Sequence, residues 1–181
     1  MKKIIACLLL VFSAFNLLAQ QKTAQKKAAP TKVVFKTYTD TKEKISIKYP
    51  ATWEQMPHPT SVFKLMRPVE ENGQRMRENI NLVVGPAQDL ALIEYLEDAR
   101  KKYKEGFDGF KELKSEFIKI NGIDFVRMVY VFTNSKQAIK CVLYLAVNND
   151  KAYSLNCTAL EGTFDRFYPL FETMAKSFRI K

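Results

Sequence analysis

The stretch KELKSEFIKI-NG-IDFVRMVYVFT, residues 111–133, constrains the fold more than any other. Two runs with apolar residues at alternate positions flank Asn121-Gly122, a dipeptide suited to the positive backbone angles of a tight hairpin turn. Two more runs follow, QAIKCVLYLAV and KAYSLNCTA, separated by the turn sequences NSK and NND. Four consecutive strands joined by short turns pair antiparallel with their sequence neighbours, so the second half of the chain is expected to form a meander.

Upstream, VVFKTYT (33–39) and ISIKY (45–49) alternate as strands across TDTKE. SVFKLMR (61–67) and RENINLVV (77–84) form a second pair, with Asn72-Gly73 as its turn. The period then changes. In DLALIEYLEDARKKYKEG, residues 89–106, Leu92, Leu96, Ala99 and Tyr103 share one helical face, Asp89 is a candidate cap and Gly106 a candidate stop. Glu97 with Lys101 and Asp98 with Lys102 stand four apart on the solvent side, so the RKKYK run reads as a solvated helix end. A second helix is expected over 163–177, capped by Thr163 and kinked or restarted at Pro169, with Phe164, Phe167, Leu170, Phe171 and Met174 facing inward. The expected class is α+β: an α/β/α sandwich with a central antiparallel sheet.

Residues 1–20, with Lys2 and Lys3 before a short apolar run, have the layout of a secretory signal peptide. The run falls short of the roughly 20 residues that span a bilayer, so no membrane span is expected after cleavage. Residues 21–32 contain four lysines and no acid and are expected to be a flexible linker; residues 33–181 then form a single domain. The formal charge of the chain is +10, but the first 32 residues hold six lysines, leaving 23 basic against 19 acidic residues in the domain. That balance gives no nucleic-acid signature, and the basic tail of an exported chain points to an anionic surface or an envelope protein as partner. A periplasmic or secreted location follows.

Catalytic candidates are few. The one histidine, His58, lies between two prolines in MPHPT, a poor foundation for a zinc site or a Ser-His-Asp arrangement. No CxxC or phosphate-cradling glycine motif occurs, so neither cofactor, metal nor catalytic residue is assigned and the chain is read as non-enzymatic. Cys141 and Cys157 lie on facing strands; a three-residue Asn148–Asp150 loop places them directly opposite. Two readings stay open, a structural disulfide in an oxidising compartment or two buried thiols.

The segment ISIKYPATW, residues 45–53, ends a strand at Pro50 and sets the only tryptophan three residues later. Trp53 either folds back as a plug on the sheet edge, the preferred reading, or forms an aromatic platform with Tyr49. Tyr49, Trp53 and His58 are the candidate ligand or partner surface.

The landmarks Tyr49, Pro50, Trp53, Asn79, Ile80, Asn81, Tyr153, Phe164, Pro169, Phe171, Ser177 and Phe178, in that order, resemble the PsbP-like family, which includes DcrB-type periplasmic proteins and a nuclear Ran-binding protein. The resemblance covers about Phe35 to Ile180 and implies the same α/β/α sandwich. It further implies an accessory or binding protein with no ligand specified, since function resides in sites and not in folds. The alternative is a carrier or enzyme holding a small apolar ligand between sheet and helix, which requires an enclosed cavity there.

Overall fold

The structure, a computed structural model, describes residues 33–70 and 76–181. The expected signal peptide and linker, and the Asn72-Gly73 turn, lie outside the described residues. The chain begins with β1 (Phe35–Asp40) and β2 (Ile45–Pro50), an antiparallel pair. Then come β3 (Glu54–Gln55), β4 (Phe63–Met66) and β5 (Asn79–Pro86), the first helix α1 (Leu92–Gly106), and the meander β6 (Lys111–Ile120), β7 (Ile123–Asn134), β8 (Gln137–Asn148) and β9 (Lys151–Leu160). Helix α2 (Glu161–Lys176) and the short β10 (Arg179–Ile180) close the domain.

Seven strands form one antiparallel sheet in the order β3-β4-β5-β9-β8-β7-β6, and β1-β2-β10 form a smaller one. Helix α1 packs on β7 and β8 from one side, while α2 packs on β8, β9 and β2 from the other. The expected sandwich about an antiparallel sheet is what the chain adopts.

The meander is set by three two-residue turns. Asn121-Gly122, Ser135-Lys136 and Asn149-Asp150 all take positive φ at both positions, the backbone twist that matches paired strands. The last turn corrects the expected three-residue loop: Asn148 pairs with Lys151, so the register advances by one residue. Cys141 therefore stands opposite Thr158, and Cys157 opposite Val142. A one-residue slip sends a side chain to the other face. Cys141 accordingly packs with Tyr130 and Leu143 under α1, whereas Cys157 packs with Tyr144 and Phe171 under α2. Both are free, buried thiols, and the Cys141–Cys157 disulfide is excluded by this geometry.

Helix α1 starts later than expected. Gln88 and Asp89 both adopt positive φ, so the chain is still turning there and Asp89 does not cap. Ala91 is the N-cap residue, and its amide donates to the Glu94 carboxylate at 2.8 Å. Leu96 and Ala99 are buried as the periodicity requires. Asp98 pairs with Lys102 at 2.6 Å, but Glu97 reaches Arg100 instead of Lys101.

Helix α2 begins at Glu161, two residues before the expected cap, and runs through Pro169 to Lys176. Thr163 lies within the first turn, where its hydroxyl donates to Leu160 O and to Glu78 Oε1, each at 3.3 Å. The proline removes one amide donor from the ladder. Burial of Phe164, Phe171, Met174 and Ala175 against the sheet carries the helix through that defect, since packing outweighs local propensity.

The α2 end is tied down by side chains. Lys48 N–H donates to Ser177 Oγ at 2.9 Å, which links α2 to β2. The turn residue Asn121 donates from Nδ2 to Phe178 O at 2.6 Å and to Lys176 O at 3.2 Å. Asn121 thus sets the hairpin and also clamps the C-terminal end of the helix.

Candidate functional site

The register of the large sheet defines its α1-facing surface row by row. One row runs Met128, Leu143, Asn156, Asn81, Lys64 across β7, β8, β9, β5 and β4; the next runs Tyr130, Cys141, Thr158, Asn79, Met66. Each row is apolar on β7 and β8, which α1 packs against, and turns polar on β9 and β5. The result is a half-exposed strip of Asn79, Asn81, Asn156, Thr158 and Lys64 on an otherwise apolar scaffold.

The local sequence explains the strip. In NINLVV, Ile80 and Leu82 point into the α2-side core, so Asn79 and Asn81 point the other way. In SLNCT, Leu155 and Cys157 face the α2 side and leave Asn156 and Thr158 beside the two asparagines.

Hydrogen bonds fix these side chains. Tyr130 OH donates to Asn156 Oδ1 at 3.3 Å, and Cys141 Sγ donates to Thr158 Oγ1 at 3.4 Å. Asn79 Nδ2 donates to Arg77 O at 3.0 Å. Asn81 Nδ2 donates to Ser61 Oγ at 3.4 Å, and Ser61 Oγ in turn lies 3.0 Å from His58 Nδ1. This chain joins the exposed His58 loop to the strip. Lys64 has no ion pair among the described residues. Beside the strip lies an open cavity of about 310 Å³, lined by polar Lys64, Asn79 and Thr158 together with apolar Met66, Met76 and Phe132.

Of the three residues proposed from sequence, only His58 belongs to this surface. Trp53 is 3% exposed and stands edge-on to Phe171, with ring centroids 6.4 Å apart. Its amide donates to Pro50 O at 2.9 Å, closing the turn that swings the ring onto the core. Tyr49 is 6% exposed, with Lys36 Nζ 4.9 Å from its ring centre. Both belong to the α2-side core, and the structure does not assemble Tyr49, Trp53 and His58 into one surface. Alternation in SLNCT already turns Asn156 and Thr158 away from Cys157, but only the pairing of β9 with β5 sets them beside Asn81 and Asn79, which the sequence did not show.

The fold also brings together ionisable groups that the sequence separates. Glu172 Oε1 accepts hydrogen bonds from Tyr144 OH at 2.5 Å and Arg127 Nη1 at 2.6 Å, and Arg127 also binds Glu116 through Nε at 3.0 Å and Nη2 at 2.5 Å. Burial acts to raise the Glu172 carboxyl, but the hydrogen bonds from Tyr144 and Arg127 outweigh it and hold it below the ordinary glutamate value. Burial pushes the Tyr144 hydroxyl up strongly. A carboxylate held ionised by a guanidinium braces α2 to the sheet and is a weak proton acceptor.

A second contact between a carboxylate and a guanidinium lies at the start of α2. Glu78 is 3% exposed and accepts from Arg67 Nε at 2.6 Å and from Thr163 Oγ1. Arg67 also stacks over Phe167, with its Cζ 5.2 Å from the ring centre. Among the described residues, no three or more His, Cys, Asp or Glu side chains gather where they could hold a metal ion. No helix among those residues is long and apolar enough to cross a membrane.

Comparison with solved structures returns the same fold at low identity. The cyanobacterial PsbP (CyanoP) of Synechocystis sp. PCC 6803 superposes with a TM-score of 0.60 at 16% identity, covering 84% of this chain and 96% of that one. LpqN of Mycobacterium tuberculosis, described as involved in cell envelope biogenesis, gives 0.60 at 11% identity over 83% of this chain and 92% of that one. The Saccharomyces cerevisiae Ran-binding protein Mog1p gives 0.57 at 12% identity over 82% and 96%. No curated protein matches the sequence. The PsbP family pattern matches residues 33–180, and the chain belongs to the PsbP family.

Proposed function

We propose that this chain is an exported, non-enzymatic accessory protein that binds an envelope partner through the polar strip of β9, β5 and β4 and the adjoining His58 loop. The observation that carries this reading is the strip itself. Hydrogen-bonded amides, and a lysine with no ion pair among the described residues, stand half-exposed on the sheet where a core-facing surface would be apolar. Such preorganised polar groups cost little entropy to engage, which favours recognition of another polar surface.

Membership of a family of accessory and binding proteins supports the same reading, as does the signal-peptide layout of residues 1–20. The carrier alternative calls for an enclosed space between sheet and helix. The described layers there are filled instead: Leu143, Leu145 and Met128 under α1, and Phe171, Met174 and Leu155 under α2, are each 0% exposed.

The test is capture of cross-linked partners from the envelope fraction of the source cells with wild-type protein and with Lys64→Glu and Asn81→Arg variants. The variants should lose the captured partner while their melting temperatures stay close to wild type. Equal capture by all three proteins would refute the strip as the binding surface. Recovery of the chain in the cytoplasm with residues 1–20 intact would refute export.

A further inference from the structure

Strand β6 is the outer strand of the large sheet and, among the described residues, pairs only with β7. It carries Phe117 at 66% exposure and Leu113 at 45%, the most exposed large apolar side chains of the meander. A long edge with apolar side chains is a template for another strand unless something covers it.

We propose that β6 is the contact strand of a symmetric pair of this chain, two copies joining antiparallel edge to edge into one continuous sheet centred on Ser115. The two-residue turn at Asn121-Gly122 makes Ile120 and Ile123 a hydrogen-bonded pair. Counting back by twos, Ile118 and Glu116 turn their backbone groups toward β7. Phe117 and Ser115 therefore turn theirs outward, free to pair with a second strand. A two-fold axis through Ser115 sets these outward groups against their own copies.

The same register is complementary in side chains. It sets Lys114 of each copy opposite Glu116 of the other, and brings the exposed Phe117 of each toward the bulge at Leu113 where the other copy's paired segment ends. Lys114 and Glu116 already lie on one face and contact each other at 2.9 Å, so the partner adds the reciprocal pairs to a network that contains Arg127. The paired residues also face the same side: Glu116 and Lys114 pair with Arg127 and Val129, while Ser115 and Phe117 pair with Met128 and Val126. At the end of the strand, Lys119 is already neutralised by Asp124 at 2.6 Å. The bulge between Glu112 and Lys114 limits pairing to the central residues, so the pair is weak and concentration-dependent.

The test uses protein produced from the full-length sequence, followed by sedimentation velocity from low to high concentration. Wild type should shift from monomer toward dimer, and Phe117→Lys should remain monomeric while keeping its far-UV spectrum. In a Cys7→Ser background, Ser115→Cys should form an intermolecular disulfide with diamide about tenfold faster than Ser135→Cys on an exposed turn, because opposed residues on a two-fold axis meet disulfide geometry. Wild type that stays monomeric throughout overturns the proposal. So does a dimer that survives Phe117→Lys, or equal cross-linking at the two sites.

Discussion

Replacing Trp53 by alanine tests how the α2-side core is closed. The indole is 3% exposed, and Phe171, its edge-on neighbour, is 0% exposed, so truncation leaves a void that helix and sheet fill only in part. Large aromatic truncations of this kind cost about 3–5 kcal/mol. For a domain of this length each kcal/mol moves the melting temperature by about 2–4 °C, so the expected drop is roughly 6–20 °C. Trp53 is the only tryptophan, so its removal also removes the fluorescence probe, and urea unfolding must be followed by far-UV circular dichroism. The midpoint should fall with the slope unchanged, as for loss of packing in an otherwise intact fold. Were Trp53 an exposed recognition platform, the cost would lie within about 0.5 kcal/mol. A loss that small, with partner capture abolished, would refute the packing argument.

Two further outcomes follow from the ionisable groups. The Glu172 carboxyl is lower in the folded state than its ordinary 4.5, so its contribution to stability is fully present above that value and is lost as pH falls through the folded value. Glu172→Gln should therefore be less stable than wild type at neutral pH and lose less on acidification below 4.5, as measured by thermal melts; parallel curves would contradict this. Burial pushes the Cys141 thiol up to about 11 and Cys157 well above its usual range, so iodoacetamide at neutral pH should label both only as the protein unfolds. Rapid labelling of the native protein, or an intact-mass loss indicating a Cys141–Cys157 bridge, would overturn their placement on opposite faces of the sheet.

The sequence by itself determined the order of the eight longer strands and the two helices, and the antiparallel meander, but not the two-residue strands β3 and β10. Those features arise from local chemistry: Asn121-Gly122 favours the turn, alternation marks the strands, and the 3.6-residue period exposes α1 through Leu96 and Ala99. Pro50 followed by Trp53 likewise announced a corner with a bulky ring to place, and the ordered landmarks from Tyr49 to Phe178 pointed to the family. Helix starts were less legible, because Gln88 and Asp89 are held in a left-handed turn that residue type alone does not impose.

Tertiary structure alone decided which residues share a face. A single residue of register at Asn149-Asp150 separates Cys141 from Cys157, and the pairing of β9 with β5 sets Asn156 beside Asn81. It likewise took the packing of α2 to bring Glu172 to Arg127 and Tyr144, partners 45 and 28 residues away. Turn preference fixes where a chain reverses; the parity of each reversal, and what an element meets when it packs, depend on long-range burial that no local pattern encodes.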